Sequence, residues 1–379
     1  MRHFLLLCLM LGLGLPVFAQ TPEQALANQW VTLCAGAVPG SPLASRCSEI
    51  FAGGAGSRSA AANGSFLDEI PGQGRSSTRD GAADGARVRE SISEHLSLFA
   101  SIDAGRLDRR DSPNEAAFSG DTHSATAGID WAPTARWVIG AALNHSREKL
   151  DYDASGGSSA GRYLGLIGYA SWQWRPNLAM DAYAGRLDGH NELRRAIDYT
   201  LLSGTHVSSV ASASPDSIRK LSGIGLTWTV PQGPWQWQFG AGGDWMKTRL
   251  ENYVETGGAG LALAVPTREI VTRRGRIDAT LGRNVSTHWG VWQPQLRVGL
   301  RHEFANPARA LSVRFAGDAN GTPVTFNTED PDSNWGEAAL GSVFVFTHGH
   351  SAFLEYRQRF GHAFLQERVL AVGWRVELR

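Results

Sequence analysis

From about residue 94 to the C-terminus, apolar and polar side chains alternate with period two in one short segment after another. The final segment, VLAVGWRVELR (369–379), sets Leu370, Val372, Trp374, Val376 and Leu378 against Ala371, Gly373, Arg375, Glu377 and Arg379. Successive side chains of a strand point to opposite faces, so one face here is apolar and the other small or charged. VWQPQLRVGLRHEF (291–304) places Trp292, Leu296, Val298, Leu300 and Phe304 opposite Gln293, Gln295, Arg297, Arg301 and Glu303. SAFLEYRQRF (351–360) sets Leu354 and Tyr356 against Glu355, Arg357 and Arg359, and WQWQFGAGGDW (235–245) and HLSLFASIDAG (95–105) follow suit. The pattern predicts twelve strands, over 94–105, 120–132, 136–148, 160–174, 178–190, 217–230, 235–250, 269–284, 290–304, 334–347, 350–360 and 364–378.

The connections alternate in length. Short ones, such as APTAR (132–136), RPN (175–177), PQGP (231–234) and THGH (347–350), separate long ones such as 191–216, 251–268 and 305–333. Only the last, around GHA (361–363), is short where a long one is due. Short turns on one rim and long loops on the other is the layout of a transmembrane barrel, and a soluble sandwich has no reason to sort its loops by parity. Ten of the thirteen tryptophans gather near the short turns: Trp131, Trp137, Trp172, Trp174, Trp228, Trp235, Trp237, Trp289, Trp292 and Trp374. Indole favours the headgroup level, so this is the expected girdle at one membrane interface. An unpaired amide in hydrocarbon costs several kcal/mol, so a sheet spans only if it closes, and twelve strands satisfy the even count of single-chain barrels. The apolar faces then meet lipid, and Arg297, Arg301, Glu303, Glu355, Arg357, Arg375 and Glu377 face the lumen. The fold class expected is all-β, a 12-stranded antiparallel transmembrane β-barrel after a short, partly helical and disordered N-terminal region.

Composition agrees. No segment after the first twenty residues approaches eighteen consecutive apolar residues, so no membrane helix is expected. Mean hydropathy is slightly below zero, −0.22, as it should be when half of each strand is polar. Charge is balanced, 36 basic against 36 acidic residues, and gives no reason to expect nucleic acid as a partner.

The N-terminus sets the compartment. Met1-Arg2-His3 precedes the apolar run FLLLCLMLGLGLPVFA (4–19), whose small-residue end matches a cleaved secretory signal. The remaining cysteines, Cys34 and Cys47, are expected to form a disulfide in an exported chain, worth roughly 3 kcal/mol by loop closure. The domain division expected is a signal peptide (1–19), a short helical disulfide-looped segment (20–51), a low-complexity linker with a helix inside the lumen (52–93), and the barrel (94–379). Thr21-Pro22-Glu23-Gln24 starts the first helix with a cap and a capping-box Gln. The lumenal helix is placed within 76–93, with RVRESISEHL (87–96) leading into the first strand.

SATAGIDWAPTARWVIGAALNHS, LRVGLRHEFANPARALSVRFAGD and the ending LGSVFVFTHGHSAFLEYRQRFGHAFLQERVLAVGWRVEL together resemble the autotransporter β-domain. His302-Glu303-Phe304, Arg314-Phe315, Tyr356-Arg357 and Gly373-Trp374 carry the likeness over about three quarters of the chain. The resemblance implies an outer-membrane translocator of type V secretion, with a helix crossing its lumen to an N-terminal passenger. It also implies insertion by the barrel-assembly machinery, which reads the last strand, and a monomer embedded in outer-membrane lipid. Two departures stand out: the chain ends in Leu378-Arg379 rather than an aromatic, and about seventy residues take the place of a long passenger.

No Gly-x-Ser-x-Gly, HExxH, Walker or dinucleotide motif is present. His123, His190, His302, His348 and His350 are scattered over strands and both rims, and Glu329, Asp330 and Asp332 read as a solvated loop. No catalytic residue, cofactor or metal ligand is therefore expected. The function expected is a translocator or structural barrel that exports or anchors its short N-terminal segment. The alternatives are an outer-membrane enzyme of omptin-like or lipase-like kind, or a pore or surface-binding barrel.

Overall fold

A computed structural model describes residues 95–112, 116–153, 157–200, 204–305, 310–327, 332–346 and 350–378, with 34, 37–41, 43–45 and 47 near the N-terminus. The signal peptide, the helix begun at Thr21, the linker and the lumenal helix placed within 76–93 lie outside the described residues. At their edge, His95 and Leu96 belong to a strand rather than to the helical turns expected of 87–96.

Twelve strands form the wall: β1 His95–Arg109, β2 Phe118–Thr134, β3 Trp137–Tyr152, β4 Ser158–Arg175, β5 Leu178–Thr200 and β6 Asp216–Gln232. They continue with β7 Trp235–Leu250, β8 Arg268–Arg283, β9 Gly290–Glu303, β10 Asn334–Phe346, β11 His350–Phe360 and β12 Leu365–Leu378. Each pairs antiparallel with the next, and β1 closes on β12 through fourteen register partners from Leu96↔Leu378 to Arg109↔Leu365. The sheet has no edge, which is what hydrocarbon demands of it.

Period two is translated directly into two surfaces. Along β12 Leu370, Val372, Trp374 and Leu378 are exposed on the outer wall, while Val369, Gly373 and Arg375 are buried on the inner one. Exposed large apolar side chains form a continuous outer belt, with Ile102, Leu166, Ile224, Ile277, Leu300 and Leu340 each about two-thirds exposed. A soluble protein does not leave a belt of this kind bare.

The inner wall requires glycine at particular positions. Bulky inward rings lie over glycines of the neighbouring strand: Phe99 over Gly128, Tyr169 over Gly140, Tyr183 over Gly223 and Phe353 over Gly373. A Cβ added at any of these glycines would sit 2.1–2.5 Å from ring atoms, inside the ring's own volume.

The long loops depart from the expected picture. The region 191–216 continues the wall: β5 runs on to Thr200 and pairs with the strand His206–Ala213 above the barrel. The 251–268 and 305–333 loops contribute Tyr253–Val254, Leu263–Val265, Ala310–Phe315 and Val324–Asn327 to a separate four-stranded sheet. The principal apolar core is here, at the loop rim. Phe118, Leu150, Leu193, Ile197, Leu250 and Ile270 from the strand ends meet Leu263, Leu311, Phe315 and Phe326 from the loops.

Candidate functional site: lumen and loop-rim cap

The inner wall is polar and internally paired. Arg297 donates to Glu355 at 2.5 Å across the intervening β10, where small Ala339 is the register partner of both Arg297 and Arg357. Arg357 in turn lies 3.7 Å from Glu355. Arg301, buried, bridges Asp278 at 2.6 Å and Glu337 at 3.0 Å. Glu303, also buried, lies 3.6 Å from Arg274 and accepts the Arg273 amide at 2.6 Å. Arg375 reaches over β1 to Asp130 at 2.6 Å and donates to Ser97 Oγ at 3.2 Å, and Glu377 shares its face half-buried. A pair that skips a strand needs a small residue between its partners and long side chains inclined along the wall.

Several members of this network were not singled out from the sequence. Glu148 on β3 and Arg219 on β6 meet at 3.5 Å across the two strands between them, and the Arg219 guanidinium lies 4.0 Å over the Tyr163 ring. Tyr169 donates to Asp130, and Tyr183 to Asp244 at 2.8 Å. Near the loop rim Arg274 and Arg359 both lie 5.1 Å from the Trp335 ring, while Arg359 pairs with Glu367 at 2.6 Å. Strand parity alone places all of these on the inner face; which partner each takes depends on register across the barrel.

The predicted girdle residues stand at the short-turn rim. Trp137 stacks on Trp172 with centroids 5.6 Å apart, and Trp172 on Trp174 at 6.2 Å. Trp228 and Trp237 both contact Phe239, and Trp289 contacts Phe344 and Phe346. Trp374 stacks on Phe346 at 5.4 Å, and Trp131, Trp235 and Trp292 point outward and are exposed. Among the predicted histidines, His190 contacts Asp216 at 2.8 Å and His302 contacts Asn334 at 2.9 Å, on separate strands. His123 faces outward, His350 lies 6.1 Å from Trp374 at the turn rim, and His348 lies outside the described residues. Asp332 accepts the Ala363 amide at 2.6 Å, while Glu329 and Asp330 lie outside the described residues.

At the opposite rim the cap closes the barrel's mouth. Its most buried polar feature is Arg195 with Glu255, each 2% exposed. Arg195 Nη2 donates to Glu255 Oε2 at 2.5 Å and to the Leu261 carbonyl at 2.8 Å, and the Leu263 amide donates to the same carboxylate at 2.9 Å. The chain reaches this arrangement through Gly257, Gly258, Ala259 and Gly260, all at positive φ, a run that three glycines make possible. Cys34 and Cys47 are joined as a disulfide, with Cα atoms 5.5 Å apart, and the loop they close sits on the cap. Leu43 and Cys47 are buried in the apolar core, and Leu43 packs against Gly317. Ala37 bridges Asp318 as an isolated antiparallel pair.

In the loop outside the spanning strands, His362 accepts the Phe364 and Leu365 amides at Nδ1. Burial first, then Arg359, lowers its pKa to about 4 against the opposing pull of Asp332, so the imidazole is neutral at ordinary pH. Burial, followed by Glu255, raises the Tyr253 phenol above its ordinary value in the cap.

The sequence model of the autotransporter β-domain family matches residues 98–357. No curated protein matches the chain. Among solved structures it resembles the translocator domain of the autotransporter NalP from Neisseria meningitidis, at 14% identity and TM-score 0.58, covering 79% of this chain and 94% of that one. It also resembles the β-domain of the Bordetella autotransporter BrkA, at 16% identity and TM-score 0.54, covering 75% and 100%. The transport unit of AIDA-I from Escherichia coli follows at 12% identity and TM-score 0.50, covering 83% and 98%.

Proposed function

The chain belongs to the autotransporter β-domain family and forms an outer-membrane barrel of that type, and we propose that it carries its own short N-terminal segment to the cell surface and retains it there as a cap. The supporting observation is topological. β1 begins at His95 on the short-turn rim, opposite Ala132, whereas Cys34 and Cys47 sit on the apolar cap at the loop rim. Residues 48–94 therefore join opposite ends of a closed wall, and the lumen is the route proposed for them.

In this reading residues 1–19 are a cleaved signal, the loop rim is extracellular, and 76–93 carry the lumenal helix. The barrel is a monomer inserted by the barrel-assembly machinery through β12. The exported product is the disulfide-closed loop itself, held by Leu43 against the 310–327 hairpin. Translocator barrels are generally not enzymes, and the dispersed, mutually neutralised charges of the inner wall suit a conduit better than a reaction centre.

Whole-cell protease treatment with one epitope before Cys34 and another after Arg379 tests the proposal. The front epitope should be reached in intact cells and the rear one only after permeabilisation. A front epitope protected until the outer membrane is breached would end the export reading while leaving the barrel intact.

A further inference from the structure

Just beyond the apolar belt, on the loop side of the outer wall, the first ionisable residue reached on each strand from β4 to β8 is basic: Arg162, Arg186, Lys220, Lys247 and Arg273. β1 and β12 continue the ring with Arg106 and Arg368, and β2, β3 and β9 carry a histidine at that level. β10 and β11 present no ionisable residue there, and no strand presents a carboxylate first. The chain as a whole is balanced, 36 against 36, so composition does not explain this sorting.

The densest part is a register row. Arg186 pairs with Lys220 and Lys220 with Lys247, which puts three outward-facing cations side by side on β5, β6 and β7. Like charges directly opposite one another destabilise a sheet, so such a row needs anions. The protein supplies two, both one step further from the belt: Asp188 lies 2.8 Å from Arg186, and Glu269 lies 2.8 Å from Lys247. The central Lys220 has no acidic partner among the described residues. In the row beneath, Ser222 pairs with Trp245 and Trp245 with Arg273.

Trp245 marks the depth. It faces outward on β7 ten residues from Trp235 at the other rim, roughly 34 Å along the strand at about 3.4 Å per residue. A tilt near 40° turns that into about 25 Å of height, the thickness of the apolar band of an outer-membrane barrel. The cations stand immediately above, where headgroup phosphates lie over acyl chains.

We propose that this row, centred on Lys220, is a binding surface for a phosphate-bearing lipid of the outer leaflet. The phosphate sits between Arg186, Lys220 and Lys247, with Trp245 against the top of the acyl region. The proposal rests on the membrane orientation given above. Held lipid would fix the barrel's depth and ring it with ordered headgroups.

Native mass spectrometry of the detergent-purified barrel, titrated with phosphatidic acid or with diacylglycerol of the same chains, tests it. The wild-type protein should retain phosphatidic acid selectively. The triple variant Arg186→Gln, Lys220→Gln, Lys247→Gln should bind it less tightly by on the order of a hundredfold, about fivefold per cation. A charge-matched control further from the belt, Lys149→Gln, Arg194→Gln, Arg249→Gln, should bind like wild type, and the heat-modifiable gel migration of folded barrels checks folding of both. Equal retention of the two lipids, equal loss in both variants, or displacement of bound lipid by millimolar inorganic phosphate alone would overturn the proposal. Loss of folded migration in the wild-type protein would instead indict the barrel reading on which it rests.

Discussion

Replacing Glu255 with alanine should unfasten the cap without opening the barrel. The substitution leaves Arg195 buried at 2% exposure with the Leu261 carbonyl still in reach but its carboxylate partner gone, and it orphans the Leu263 amide. Removing one member of a buried, hydrogen-bonded ion pair costs about 3–5 kcal/mol, because the survivor keeps its desolvation penalty and loses its compensation. Converted to an opening equilibrium, that is roughly two to four orders of magnitude of lost protection. The damage should stay local, since pair and cap sheet lie above the membrane belt while the wall is held by its closed hydrogen-bond ladder. Hydrogen exchange of the detergent-solubilised protein should show 253–265 and 310–327 exchanging much faster in Glu255→Ala, with the mid-wall of β7 and β8 unchanged. The double change Arg195→Met, Glu255→Leu should recover most of the protection, because two apolar side chains impose no unpaired charge. Unchanged exchange in the single variant, or a double variant as damaged as the single one, would refute the reasoning.

Three further outcomes follow from the same structure. Reducing the Cys34–Cys47 disulfide, or Cys34→Ser, should remove about 3 kcal/mol of loop constraint and free the segment from the mouth, seen as faster proteolysis before residue 48 with the wall unaffected. Leu300→Arg, on an outward position 66% exposed, should destabilise the barrel in lipid by about 2–4 kcal/mol by reversible denaturant titration, whereas a soluble protein would tolerate it. His362 stays neutral in the folded loop down to about pH 4, while its unfolded form takes up a proton near 6.5. Its contribution to stability is therefore complete above pH 6.5 and lost as pH falls toward 4, and a carbon-13 histidine titration returning an ordinary value would contradict this.

Much of the wall was legible because a strand's two faces obey a local rule. Val372 and Trp374 announce an outer surface and Arg375 an inner one whatever the rest of the chain does, and alternating connection lengths assign the rims. Tryptophans beside short turns gather at one rim because the turns themselves lie there. The cap was not legible. Its strands are two to six residues long, too short for period two to show, and they pair across distances such as Leu263↔Phe315, so 251–268 and 305–333 read as plain loops. Nor could sequence join Arg195 to Glu255, sixty residues apart, or tell that Arg297 reaches past Ala339 to Glu355.

The sequence by itself thus determined the closed twelve-stranded wall, its two surfaces, its two rims and the cysteine pair, because backbone pairing in hydrocarbon leaves no other way to satisfy that alternation. Only the tertiary structure decided what happens above the belt. Register across strands lined up Arg186, Lys220 and Lys247, and long-range packing brought Leu43 onto the mouth, both set by contacts between residues far apart in the chain.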